Sequence, residues 1–168
     1  MAVKRVTYIL LVALAVVISA GCTRECRENR NSIALAGFYD SNKKGKIVIS
    51  GLTVYGIGAP EDAMILDDAQ NVKHVYLPMP INKSSVQFVF HYTQIGIDDI
   101  RYNDTLTVNY TPVPYFASKE CGSMYIYEIN DYSCTTNLVD SVKMPFDKIT
   151  NIDCETVQMY LRTAKAGE

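Results

Sequence analysis

The stretch Thr105-Leu106-Thr107-Val108-Asn109-Tyr110-Thr111 decides the fold class. Its apolar residues recur with period two, so Leu106, Val108 and Tyr110 share one face while threonine and asparagine take the other, the signature of a half-buried strand. Val86-Gln87-Phe88-Val89-Phe90-His91-Tyr92 turns Val86, Phe88, Phe90 and Tyr92 inward by the same rule, and Val157, Met159 and Leu161 repeat it near the C-terminus. Further strands are expected at 33–39, 46–50, 52–55, 73–77, 115–118, 124–129 and 139–144. Turn signals separate them at 42–45, 58–60, Pro78-Met79-Pro80, Pro112-Val113-Pro114 and Asn130-Asp131. Proline cannot donate to a ladder, so strands carrying Pro78, Pro80, Pro112 or Pro114 must end there or lie on an edge. No stretch carries a helical stripe of three turns. Short strands at intervals of roughly ten residues indicate an antiparallel sandwich or barrel.

Composition bounds the remaining possibilities. The 168 residues are 48% hydrophobic and 20% charged, an ordinary globular profile of single-domain length. The formal charge is −2 with basic residues scattered, which gives no electrostatic footprint for nucleic acid.

The N-terminus reads as an address. Lys4 and Arg5 precede an apolar run from Ile9 to Ile18, followed by Ser19, Ala20, Gly21 and Cys22. Ten or so apolar residues span only about 15 Å as a helix, half a hydrocarbon core, so residues 1–21 read as a signal peptide and not as a membrane span. Small residues before a cysteine resemble a bacterial lipobox, with Cys22 as the acylated residue and Ser19 standing where leucine is usual. Lipid chains would hold the protein to a membrane with no spanning segment. Thr23 is not the aspartate that retains such proteins at the inner membrane, so the expected address is the outer membrane, facing the periplasm or the outside. Residues 22–31 are a polar lipidated tether, and residues 32–168 are the β-domain. Losing Lys4 and Arg5 leaves 14 basic residues against 18 acidic, a mildly acidic mature chain.

With Cys22 carrying lipid, Cys26, Cys121, Cys134 and Cys154 remain, an even number in an oxidising compartment. Three pairings are possible. The favoured one joins Cys26 to Cys121, tying the tether to the body, and Cys134 to Cys154, closing the loop before the last strand. The cysteines have no C-x-x-C spacing and no histidine at ligand spacing, so no structural zinc is expected.

Several local patterns recur in order. Cys26, then Phe38-Tyr39-Asp40, Val75-Tyr76-Leu77-Pro78, Asp104-Thr105-Leu106-Thr107-Val108-Asn109-Tyr110, Ser118-Lys119-Glu120-Cys121-Gly122, Asp140-Ser141-Val142 and 155–161 follow the lipobox. This series resembles a family of small Bacteroidetes lipoproteins catalogued as domain of unknown function 6452. The resemblance implies an immunoglobulin-like antiparallel β-sandwich and carries no catalytic residues. It also supports pairing Cys26 with Cys121, and leaves Cys134 and Cys154 as additions in this chain, natural partners for each other.

A serine hydrolase needs a nucleophile elbow, and no Gly-x-Ser-x-Gly is present; His74 and His91 lie within strand patterns. The carboxylate pairs Glu61-Asp62, Asp67-Asp68 and Asp98-Asp99 could serve glycoside hydrolysis but sit in polar, loop-like segments. The oxygen-rich run Asp67-Asp68-Ala69-Gln70-Asn71 lacks the spacing of a calcium loop. Asp104-Thr105-Leu106 and Asp140-Ser141-Val142 match a short sequon resembling the one used for O-glycosylation of exported proteins, making Thr105 and Ser141 candidates. Tyrosine faces can stack on sugars or anchor interfaces, with Tyr110 and Tyr92 expected in the core and either Tyr125 and Tyr127 or Met124 and Ile126 exposed. The expected function is a non-catalytic envelope interaction or accessory module, with no cofactor and no metal. A surface glycan- or ligand-binding lipoprotein is the alternative, and a small hydrolase or inhibitor the third reading.

Overall fold

A computed structural model describes residues 31–60 and 63–162. The signal peptide, Cys22, Cys26 and Glu61-Asp62 lie outside the described residues.

The chain is all-β. One sheet contains, in spatial order, β4 (His74–Leu77), β1 (Ala34–Asp40), β10 (Val157–Leu161) and β8 (Val139–Lys143). The other contains β3 (Met64–Ala69), β2 (Leu52–Gly56), β5 (Ser85–Tyr92), β6 (Asp104–Ser118), β7 (Gly122–Cys134) and β9 (Lys148–Ile149). Neighbours are antiparallel except β1 and β10, the first and last strands, which run parallel with Phe38 opposite Met159.

The period-two faces form the core. Leu106, Val108 and Tyr110 are buried with Val86, Phe88, Phe90 and Tyr92, and with Val157, Met159 and Leu161. Phe38 meets Phe90 edge-on at 6.3 Å between centroids, joining the two sheets. Burying one such ring stabilises by about 1.5–3 kcal/mol.

Several elements differ from expectation for local physical reasons. β3 was expected as loop because Asp67 and Asp68 interrupt its apolar pattern; charge is tolerated there because β3 is an edge strand. Residues 46–50 form no strand. They cross between the sheets, bridging once from Lys46 to Tyr39 and once from Ile49 to Val72. β6 continues through Pro112-Val113-Pro114, and β7 through Asn130-Asp131, as one long hairpin. The prolines fit because β6 pairs with β5 only as far as Asn109, so beyond it one side of β6 is a free edge. The Asn130 signal became a bulge, since Asn109 pairs with Asp131 and Tyr110 with Ile129.

A buried carboxylate closes one end of the molecule. Asp104 is 0% exposed. Its Oδ1 accepts from the Asn137 amide at 2.8 Å and the Thr135 hydroxyl at 3.1 Å. Its Oδ2 accepts from the Leu138 and Val139 amides at 2.9 and 2.8 Å. Asp104 belongs to β6 and Val139 to β8, so this one side chain fastens the connection that carries the chain from one sheet to the other.

The cysteines need one correction. Cys134 and Cys154 are both free thiols, not the expected bridge. Cys134 ends β7 beside the close of β10, where Leu161 pairs with Val139, whereas Cys154 precedes the start of β10. The length of β10, about 13 Å, therefore lies between them, well beyond the reach of a disulfide. Cys121 is disulfide-bonded; Cys26, its expected partner, lies outside the described residues.

Candidate functional site

The outward side of the four-stranded sheet gathers a cluster of charged and tyrosine side chains. Strand alternation sends Phe38 and Met159 inward, so Gly37 and Tyr39 of β1 and Gln158 and Tyr160 of β10 face out. Parallel pairing sets Tyr39 directly opposite Tyr160, their rings 5.3 Å apart and tilted by 33°. Glu155 lies across Gly37: a Cβ there would come within 2.0 Å of the Glu155 carboxylate and would displace it from its partners.

Glu155 organises the group. Its Oε1 accepts from the Tyr39 hydroxyl, and its Oε2 accepts from the Lys46 ammonium at 3.0 Å. Desolvation, followed by the hydrogen bond to Glu155, raises the Tyr39 hydroxyl pKa above its ordinary value. The same carboxylate raises Lys46.

A turn delivers two of the lysines. Asp40 Oδ1 accepts from the Asn42 and Lys43 amides at 2.7 and 2.9 Å, an Asx-turn of the kind aspartate favours. Lys44 follows at φ 58°, and its ammonium sits 4.9 Å from the centre of the Tyr160 ring. Lys143, from β8, covers the same ring at 5.5 Å, and Lys46 lies 5.8 Å from the Tyr39 ring. Tyr160 is consequently only 8% exposed although it points outward. Cation–π contact fixes each ammonium in place. Three lysines against one glutamate make a local cationic surface on an acidic chain, suited to an anionic or hydrogen-bonding partner. The tyrosine faces are occupied by lysines and are not open stacking platforms.

The residues singled out from sequence fall elsewhere. Thr105 and Ser141 are half-buried within β6 and β8, and Asp104, the acid of the first sequon, is spent on the β7–β8 connection. Asp98 meets His91 Nε2 at 3.2 Å. Asp99 pairs instead with Arg101 at 2.8 Å, and the hydrogen bonds from Arg101 push its carboxyl down to about 2. Asp68, at φ 40°, accepts from the Thr93 hydroxyl and from Gln70. Among the described residues no group of three or more His, Cys, Asp or Glu could hold a metal ion. Cys134 packs beside Tyr92 and Asp104; burial first, then the Asp104 charge, pushes its thiol up to about 12, so it stays protonated and inert.

Of the tyrosine sets, Tyr127 and Met124 are buried and Tyr125 is exposed. Neither expected pairing therefore held as a set, because the hairpin leaves the cover of the second sheet part-way along. Glu155, Lys46 and Tyr160 were not foreseen as one group. Alternation alone marks Tyr39 and Tyr160 as outward, but their meeting depends on the parallel pairing of the first and last strands.

Residues 51–161 match the family of unknown function DUF6452. The chain belongs to that family. No curated protein and no solved structure matches it. The DUF6452 match takes in β2 to β10, including Lys143, Glu155 and Tyr160, whereas Tyr39, Lys44 and Lys46 precede it.

Proposed function

We propose that this DUF6452 protein is a non-catalytic, lipid-anchored module of the cell envelope, held at the outer membrane by acylated Cys22 and acting through contact with another envelope component. The observation that carries the reading is the order of the N-terminus: a basic pair, a short apolar run, then Ser19-Ala20-Gly21-Cys22 and a polar tether that leads straight into β1. The immunoglobulin-like form of the sandwich belongs to the same reading and is supported by the parallel contact of the first and last strands. The Cys26–Cys121 bridge belongs to it too, supported by the bonded state of Cys121. Mass spectrometry of the mature N-terminus is expected to find a diacylglycerol-modified Cys22, and crosslinking in intact cells a discrete envelope partner. An unmodified Cys22, or turnover of a glycan or ester by the purified protein, would overturn the reading.

A second reading rests on the lysine-capped Tyr160. The face of Lys44, Lys46 and Lys143 suits an acidic glycan or similar anionic ligand. Titration with an acidic polysaccharide is expected to show binding that salt weakens and that Lys44→Gln with Lys143→Gln reduces at least several-fold. Binding unaffected by both changes would remove this face from consideration.

A further inference from the structure

Beyond Asn109 the β6–β7 hairpin outruns its pairing with β5 and continues as an arm, its base still held in the core by Tyr110 and Tyr127. Its turn at 119–121 is closed by Gly122 at φ 77°. From Pro112 to Ser118 the arm extends about 20 Å.

Apolar side chains occupy both faces of the arm, with Ser123, opposite Phe116, an exception. On one side Pro112, Pro114 and Phe116 stand with Tyr127 and Tyr125; on the other, Val113 and Tyr115 stand with Ile126 and Met124. Phe116 is 65% exposed, and Tyr115 and Tyr125 are 43% and 40% exposed. Ile81, also exposed, lines a groove of about 360 Å³ with Met124 and Tyr125. Isolated exposed apolar side chains need no explanation, but a contiguous set marks a contact surface.

The free β6 edge of this arm is poorly fitted to an incoming protein strand. The Tyr110 amide donates to Ser84 O at 2.9 Å, so amides two and four residues on point to the same, open side. Those residues are Pro112 and Pro114, which have no N–H. An incoming strand would find no donors there. A hydrocarbon-rich environment, by contrast, penalises unpaired donors, and Pro112 and Pro114 remove two of them from this edge.

The tether places the arm. Asn31, Ser32 and Ile33 line the same groove as Met124 and Tyr125, so the chain enters the domain at this end. From Cys22 to Asn31 is nine residues, at most about 32 Å of extended chain. Through the Cys26–Cys121 bridge only four residues separate the lipid from the hairpin turn, about 14 Å.

We infer that the arm rests on the membrane that holds Cys22, with Phe116, Tyr115 and Tyr125 in the headgroup layer, where aromatic side chains concentrate. This inference rests on the anchored reading above. It makes the domain an oriented one: the arm lies against lipid, and the end closed by Asp104 points away.

The chain contains no tryptophan, so single reporters can be introduced at exposed positions. The full mature protein, purified from membranes with Phe116→Trp or Ile95→Trp, is reconstituted in phosphatidylethanolamine–phosphatidylglycerol vesicles with or without brominated chains. Ile95 is fully exposed in the connection that leaves β5 after Tyr92, at the Asp104 end. The Phe116→Trp emission is expected to shift to the blue and lose most of its intensity to brominated lipid, while Ile95→Trp stays solvent-like. Mass spectrometry of the same preparation reads the anchor. An unacylated Cys22 overturns the anchored reading and the arm's placement with it. An acylated, vesicle-bound protein whose Phe116→Trp emission is unshifted and unquenched overturns the arm proposal alone, as does equal quenching at both positions. A blue shift present in native membranes but absent in vesicles assigns the arm to a protein partner and likewise overturns it.

Discussion

The two ends of this β-domain solve opposite problems. Around Asp104 every carboxylate oxygen has a protein partner, the loop between sheets is fastened by three backbone amides, and the neighbouring thiol is inert. At the arm the hairpin outruns the opposing sheet, exposes aromatic rings and presents an edge on which Pro112 and Pro114 supply no donors. The first end is closed by hydrogen bonds to one fully buried charge; the second is left apolar. Their contrast separates the part of the chain that specifies the fold from the part available for contact.

The largest test of that contrast is Asp104→Ala. It orphans the amides of Asn137, Leu138 and Val139, and urea unfolding is expected to show a loss of about 3 kcal/mol or more. Asp104→Asn, which keeps one acceptor oxygen, is expected to lose roughly half as much. A loss below about 1 kcal/mol in both would mean that this end is held by something other than the carboxylate.

Alkaline pH probes the same end more gently. Cys134 is held at about 12, and burial raises Tyr92, which also lies near Asp104, above its ordinary value. At the other end, beneath the arm, Tyr110, whose hydroxyl donates to Pro80 O, is raised by burial to about 12 and adds to the same pH dependence. All three are acids kept neutral by the fold, so they bind protons more tightly folded than unfolded. Their stabilisation is complete below the unfolded thiol value near 8.5 and is lost as pH rises toward 12. Stability measured by denaturation should therefore be level around neutrality and decline steadily above about pH 9. In the folded protein at pH 8, Cys134 should resist alkylation and become reactive on unfolding. Prompt labelling of folded Cys134 would break this account of the closed end.

At the arm, Pro112→Val with Pro114→Val restores two donors to the open edge. The expected outcome is self-association visible by light scattering, with little change in monomer stability. A variant that stays monomeric would show that the prolines do not guard this edge. Smallest of all, Phe116→Ser should alter stability by no more than about 0.5 kcal/mol. A larger loss would make the arm part of the core and erase the distinction between the ends.

The sequence carried this architecture unevenly. Period-two runs such as 105–111 and 86–92 were legible because one buried face imposes alternation. β3 was not, because an edge strand tolerates the paired aspartates that otherwise mark loops. The arm was hidden by its prolines, which read as a turn until the missing neighbour of β6 makes them an edge. The separation of Cys134 from Cys154 and the meeting of Tyr39 with Tyr160 depend on which strands lie together across more than a hundred residues, information that no local pattern holds. Gly37 shows the limit well: the space above it is filled by the Glu155 carboxylate, far along the chain.

The parallel pairing of β1 with β10 has a kinetic consequence. Ala36 finds its partner only at Val157, so the four-stranded sheet cannot assemble until almost the whole chain is available, and contacts of such sequence separation slow folding. As the polypeptide emerges from its N-terminus, β1 must wait unpaired on this side while everything between is delivered. A chain truncated before Val157 would strand β1 and β8 on either side of a gap. Assembly of this sheet thus waits on delivery of the five residues of β10.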